Sequence, residues 1–293
     1  MRNNTLALRL PDFIGIGPAR TGTTWLHEIL KGHAGLPLIK ETHFFKRYYE
    51  KGLGWYAGHF NDSPPGLPIG EICPSYFNFA LARERIAKDL PNCKIICSLR
   101  DPVERLYSHY RHIRPLAGIR DSFEDEIQQD PTLMDGSYYA RHLEAWLETF
   151  GRSNVLIIFY DDLKSSPQAF LDPVCEFIGI PKIDLKASPI GNKRVNLVEA
   201  TRAPRNRLLG LAAGKAIAWL QATRLDSALS LWRRTPLWEF CLGGGQKYEL
   251  LSPETEERLR EHFRSGVEEL EVLTHRDLSS WKWRTAVPEH SQV

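Results

Sequence analysis

The sequence predicts an α/β fold: a mostly parallel central sheet covered by helices on both faces, three layers in all, with a helical C-terminal extension. Three observations carry this expectation. Short Ile- and Val-rich segments alternate with helical stretches of about ten residues, the pattern of parallel strands joined by crossover helices. A tight glycine turn follows the first of these segments and opens the first helix. After Pro181 the alternation stops and longer helical stretches take over.

The first strand candidate, Phe13–Ile16, runs into Gly17-Pro18-Ala19-Arg20-Thr21-Gly22-Thr23-Thr24. A helix over Thr23–Lys31 follows, with Leu26, Ile29 and Leu30 on the 3.6-residue period. Further strands are expected at Leu36–Ile39, Leu67–Ile72, Lys94–Leu99 and Val155–Phe159, with helices at Phe79–Leu90, Val103–Arg114 and Tyr138–Phe150. Asp101 suits an N-cap and Pro102 the first helical position, so the helix expected at Val103–Arg114 starts there. Residues 182–206 are polar and basic, and an apolar helical stretch follows them. Gly243-Gly244-Gly245 opens a loop, and Ser252-Pro253-Glu254-Thr255 has the cap, proline and acid of a strong helix start. No repeat or linker divides the chain. A single domain over 1–293 is expected: an α/β core at 12–181, and a mostly helical region at 182–293.

A formal net charge of +2 is too small to argue for nucleic acid as a partner. The five cysteines (Cys73, Cys93, Cys97, Cys175, Cys241) are scattered, with no Cys-x-x-Cys pair and no neighbouring His at metal spacing. No metal site is expected, and the thiols read as buried and free in a reducing compartment. The N-terminus lacks a basic segment leading into an apolar stretch, so neither a signal peptide nor an anchor is expected and the location reads as cytoplasmic. The most membrane-like stretch, Leu208–Trp232, is interrupted by Lys215, Gln221, Arg224 and Asp226 short of a spanning length. A helix packed on the core or forming a lid is the first reading of it, and weak contact with a membrane surface the second.

The glycine turn has nearly the spacing of a nucleotide phosphate cradle. Strand, turn and helix N-terminus together aim backbone N–H groups and the positive end of a helix dipole at one anion, a P-loop-like arrangement. The lysine an ATPase needs is replaced by Thr23, and the only cation of the loop is Arg20. A buried corner that uses Gly22 for backbone conformation alone is the competing reading. Lys40-Glu41-Thr42-His43-Phe44-Phe45 stands just beyond the second strand candidate, which puts Glu41 near the same sheet edge. A carboxylate there suits proton abstraction from a hydroxyl or amine, with aromatic neighbours excluding water. A structural ion pair with Arg20 or Lys40 is the plain alternative. Arg100 closes the strand Lys94–Leu99 and Ser108 lies two turns into the next helix, both placed for a second phosphate. An Arg100–Asp101 surface pair is the plain alternative.

These segments together resemble the sulfotransferases that use 3'-phosphoadenosine 5'-phosphosulfate (PAPS). Gly17 to Leu26, with Thr21-Gly22-Thr23-Thr24-Trp25-Leu26, resembles their phosphosulfate loop, and Leu99 to Ser108 their 3'-phosphate element. Lys40–Phe45 and Gly70-Glu71-Ile72-Cys73-Pro74-Ser75-Tyr76-Phe77 are similar to segments of the glycan-modifying branch, which includes the heparan sulfate enzymes. Phe159–Leu163 with Pro167 resembles a further recurrent segment, and Gly244-Gly245-Gln246-Lys247-Tyr248 the loop that closes over the nucleotide. Two departures stand out. Arg20 occupies a position where many members carry Lys, and Gln246 one where the glycan branch often carries a basic residue.

The resemblance implies PAPS as co-substrate without a metal. It implies Glu41 as base, Arg20 at the leaving phosphate, and donor contacts from Ala19, Arg20, Thr21, Gly22, Thr23, Thr24, Trp25, Arg100, Ser108, Gly244, Gly245, Gln246 and Lys247. The implied acceptor bears a hydroxyl or amine on a carbohydrate or glycolipid, with a small hydroxylated metabolite next and a peptide tyrosine third. Lys193, Arg194, Arg202, Arg205 and Arg207, together with Trp219, Trp232 and Trp238, are candidates for its site, or for solvated surface and core. Two other functions compete. A catalytically silent nucleotide-binding protein would be expected to lose the acid at Glu41. A kinase on this loop would need Lys at 23 and a metal-holding acid, and has neither.

Overall fold

The computed structural model describes residues 8–117, 122–187, 202–204, 206–222, 228, 231–232, 235–242, 244–247 and 251–283. Its central sheet has four parallel strands: β1 (Phe13–Gly15), β2 (Gly70–Ile72), β3 (Lys94–Leu99) and β4 (Val155–Phe159), in the order β2-β1-β3-β4. Alternate residues of these strands feed two apolar layers. Ile14, Ile95, Cys97 and Leu99 join one core, while Phe13, Ile96 and Ile158 join the other. Both faces are therefore covered, which is why the strands read as continuous apolar runs.

On one face lie α1 (Thr23–Leu30) and, further along the chain, the helix Pro167–Ile178. Trp25, Leu26, Ile29 and Leu30 pack there with Phe170, Leu171 and Val174. On the other face α2 (Gly52–Ala57), α3 (Ala80–Asp89), α4 (Pro102–Ala117) and the helix Tyr139–Phe150 pack around Phe44, Tyr56, Tyr76, Leu106 and Trp146.

Two expectations fail at the second strand. Leu36–Ile39 is not a strand: Leu38 is 86% exposed. The chain touches the sheet only where Gly35 and Ile69 bridge. Pro37 has no N–H to give a ladder, and Gly35 supplies the donor and acceptor instead, to Pro68 and from Gly70. Leu67–Ile72 shortens to Gly70–Ile72, because Pro68 has no N–H to give a ladder.

Helix starts follow their caps. Asp101 Oδ1 accepts from the N–H groups of Val103 and Glu104, and Ser252 Oγ accepts from Thr255 N–H. The long helix Pro253–Thr274 is tied to the core by charge: Arg260 Nη1 reaches Asp101 Oδ2 at 2.8 Å. Arg276 forks onto both oxygens of Asp162, and Trp281 donates to Asp161. The segment Phe159–Leu163 is thus an anchor for the C-terminal helices. The helix Arg207–Ala222 packs along α4, with Ala213 and Ile217 buried and Trp219 60% exposed.

Gly244–Lys247 is not the loop expected from its glycines. It is a strand, antiparallel to Arg202–Pro204. Lys193, Arg194, Arg205, Arg224, Asp226 and Tyr248 lie outside the described residues. No helix among the described residues is long and apolar enough to cross a membrane.

Candidate functional site

The glycine turn folds as a strained phosphate-type loop at the carboxyl end of β1. Gly17 lies so close to β3 that a Cβ would sit 2.5 Å from the backbone of Ser98, which excludes any side chain there. Gly22, at φ 90°, is the N-cap of α1 and provides no side-chain cap, so the first N–H groups of the helix face outward. Thr21 hydroxyl turns inward to Pro18 C=O, and Ser98 hydroxyl holds Thr21 C=O from below. Thr21, Thr23 and Trp25 are buried, whereas Ala19, Arg20, Gly22 and Thr24 are half-buried at the open rim. Trp25 packs edge-on against Phe170, so its indole is part of the core beneath the loop.

Arg20 has φ 80°, a left-handed backbone that costs a non-glycine residue on the order of 1–2 kcal/mol. That conformation carries its side chain across to α4, where Nε donates to Ser108 Oγ at 3.0 Å. Arg100 Nη1 in turn donates to the carbonyl of Arg20 at 3.3 Å. The three residues expected to meet phosphate are therefore neighbours, although 88 positions separate the first from the last. Arg100 does not pair with Asp101, whose partner is Arg260. It pairs with Glu104 at 3.1 Å and lies over the Tyr160 ring. Burial raises the Glu104 carboxyl, but Arg100 and Lys164 together hold it below the usual range.

The segment after Lys40 forms the second half of the site. Lys40 Nζ donates to Thr24 Oγ1 at 2.7 Å and to Glu41 Oε1 at 3.0 Å, bridging the start of α1 to the carboxylate. Of the two ion-pair partners considered for Glu41, the structure pairs it with Lys40. His43 Nε2 lies 3.7 Å from Glu41 Oε2, and its Nδ1 is 3.0 Å from Ser75 Oγ. His43 also has a left-handed backbone, φ 52°, and opens a π-helical turn, Phe44–Tyr48. Burial lowers its imidazole pKa, with the Glu41 charge opposing, and so favours the neutral ring.

Beneath this segment lies a group that sequence reasoning passed over. Glu71, in β2, is 0% exposed. Its Oε2 accepts from Thr42 N–H and Thr42 hydroxyl, and its Oε1 from the hydroxyls of Tyr56 and Tyr76. Burial still raises its pKa in spite of these four donors. Thr42 Oγ1 then accepts from Phe44 N–H, and Tyr76 hydroxyl from Phe45 N–H. Glu71 thereby fixes the residue between Glu41 and His43. An acid inside an otherwise apolar strand was the signal available in the sequence; Lys40 was another, as the cation beside the acid.

The four remaining donor candidates, Gly244, Gly245, Gln246 and Lys247, are described by backbone only. The strand that pairs with them neighbours α4, the helix of Ser108.

A sequence profile of the sulfotransferase domain matches residues 10–197, nearly two thirds of the chain. The chain belongs to the PAPS-dependent sulfotransferase family. Over 197 residues it is 36% identical to bifunctional heparan sulfate N-deacetylase/N-sulfotransferase 4 of Mus musculus, covering 58% of this chain and 22% of that protein. Over 185 residues it is 34% identical to heparan sulfate glucosamine 3-O-sulfotransferase 3B1 of Mus musculus, covering 60% and 47%. The chain thus spans about a fifth to a half of the length of these curated relatives. A sulfotransferase from Alicyclobacillus acidocaldarius superposes over 94% of this chain and 100% of its own, with TM-score 0.65 and 21% identity, a likeness of fold.

Proposed function

We propose that this sulfotransferase moves a sulfuryl group from PAPS to a hydroxyl or amine of a carbohydrate or glycolipid acceptor, with Glu41 as base. The observation that carries the reading is the Lys40 bridge, which couples the expected base to the head of the phosphate loop through Thr24. The loop fits the donor by its chemistry: uncapped amides, one guanidinium at the rim and no acid among its residues.

In this reading the acceptor oxygen or nitrogen attacks sulfur in line, the S–O bond to the 5'-phosphate breaks, and the acceptor's proton passes to Glu41. Arg20 and the N–H groups of Thr21 to Thr24 stabilise the charge that grows on the leaving phosphate; one such aimed donor is worth on the order of 3 kcal/mol. Arg100 and Ser108 hold the 3'-phosphate. His43 stands beside the base, its Nε2 3.7 Å from Glu41 Oε2, and its ring is held through Nδ1 by Ser75 Oγ. The region 182–293 lines the acceptor side in the same single domain, and Gly244–Lys247 borders the nucleotide. The support for a glycan acceptor is the family branch of the relatives. Five free thiols fit a reducing, cytoplasmic setting.

Glu41→Gln tests the assignment. Uptake of 3',5'-bisphosphoadenosine, read by calorimetry, should persist while sulfuryl transfer to a labelled acceptor pool disappears; retained turnover would remove Glu41 from the role.

A further inference from the structure

No neighbouring His and Cys stand at metal spacing in the sequence, yet the fold assembles a mixed donor set at the base. Glu41, His43 and Cys73 each place one ligand atom within 4.8 Å of the others. His43 Nδ1 and Cys73 Sγ are 3.6 Å apart. Two ligands sharing a tetrahedral zinc, with bonds of about 2.0–2.3 Å, lie about 3.4–3.6 Å from each other. The nitrogen–sulfur pair already has that spacing, and the carboxylate is the arm that must move. Glu41 is the side chain placed to do so, at 28% exposure: Lys40 holds its Oε1, and its Oε2, now 3.7 Å from the other ring nitrogen Nε2, must swing to the Nδ1 edge to share the ion with Cys73. Cys73 forms the closed floor, with Ser75 Oγ 3.4 Å from its sulfur as a neighbouring oxygen. Burial, and after it the nearby Glu71 and Glu41, push the Cys73 thiol up, so it is the ion that must displace its proton.

We infer that Glu41, His43 and Cys73 form a binding site for a thiophilic divalent cation, zinc above all, and that its occupancy withdraws Glu41 from the acceptor and stops turnover. One carboxylate, one imidazole and one thiolate with a fourth position open is a zinc donor set, and it is unsuited to magnesium. On binding, the Cys73 thiol gives its proton to solvent and the sulfur takes the metal; no electron changes hands. The site is inhibitory, because the oxygen lone pair that would accept the acceptor's proton is given to the ion.

The test uses the full chain with neither donor nor acceptor present. Zn²⁺ is titrated by calorimetry, and Co²⁺ serves as a spectroscopic probe. The expected result is one ion per chain with a sulfur-to-cobalt charge-transfer band. Cys73→Ser, nearly isosteric, should abolish the band and weaken zinc at least ~10-fold, since even the loss of a group supporting a ligand costs that much. His43→Asn, in which asparagine tolerates the left-handed backbone, should weaken zinc while keeping the band. In the presence of donor and acceptor, zinc should inhibit and a chelator restore the rate. Absence of a sulfur band in the unmodified chain, or zinc affinity unchanged in either variant, overturns the site. The inference rests on the proposed base only for its inhibitory consequence. A band in a chain whose Glu41→Gln variant still turns over would keep the metal site and discard the base.

Discussion

The proposed donor loop and the platform of the proposed base are built by opposite means. Residues 17–26 form the phosphate loop almost by themselves. Two glycines allow the turn, the helix start supplies the amides, and one hydroxyl closes it onto Pro18 three positions back. The platform under the proposed base is assembled from afar. Glu71 gathers Thr42 from 29 positions away and Tyr56 from 15, and His43 meets Ser75 across 32. A loop made of backbone can be carried by a short motif, whereas a platform made of side chains exists only when the sheet has formed. Lys40 links the two halves, on Thr24 and Glu41.

That contrast can be broken in order of effect. Glu41→Gln should lower turnover by about 10²–10⁴-fold, the range of a general base, with nucleotide affinity within a factor of ~2 of the parent. Equal losses in both would show that the halves are not separable. Arg20→Ala should lower kcat by about 10²–10³-fold, the scale of one transition-state donor, and a rate measured under donor saturation checks it. Lys in that place should recover only part, because it lacks the fork and the reach of Nε to Ser108.

Glu71→Leu leaves the hydroxyls of Thr42, Tyr56 and Tyr76 without their acceptor. A single buried orphan costs about 1–3 kcal/mol, so the urea midpoint should fall. Turnover should fall with it while bisphosphoadenosine binding survives. Loss of nucleotide binding at equal foldedness would show that the platform supports the donor loop as well.

The last effect is one of pH. His27, in α1, is 1% exposed, and burial lowers its pKa from 6.5 to about 3. Between those values the unfolded chain binds a proton that the folded chain refuses. The stability His27 gives is therefore complete above pH 6.5 and is lost as the pH falls toward 3. The slope from this group reaches about 1.4 kcal/mol per pH unit. Thermal unfolding followed across that window should show a shallower decline in His27→Leu. An unchanged slope would assign acid sensitivity elsewhere.

Much of the donor side was legible from residues alone. Strand, turn and helix fell where the 3.6-residue period and the glycines put them, and Asp101 and Ser252 capped as their types require. The edge near Leu36–Ile39 was misread because apolar composition outweighed Pro37. Gly244–Lys247 was misread because three glycines look like a loop until a partner strand is present. Lys40 and Glu71 stood in segments already singled out, yet neither announced its partners.

The sequence by itself determined the layered parallel sheet, the glycine turn that opens the first helix, and the family, since each depends on local pattern and on which groups can be buried. Tertiary structure alone decided that Arg20 reaches Ser108, that Glu71 underpins Thr42, and that Glu41, His43 and Cys73 share one corner. Those contacts depend on strand order and on two left-handed residues, Arg20 and His43, and no local propensity encodes a distance between segments thirty or more residues apart.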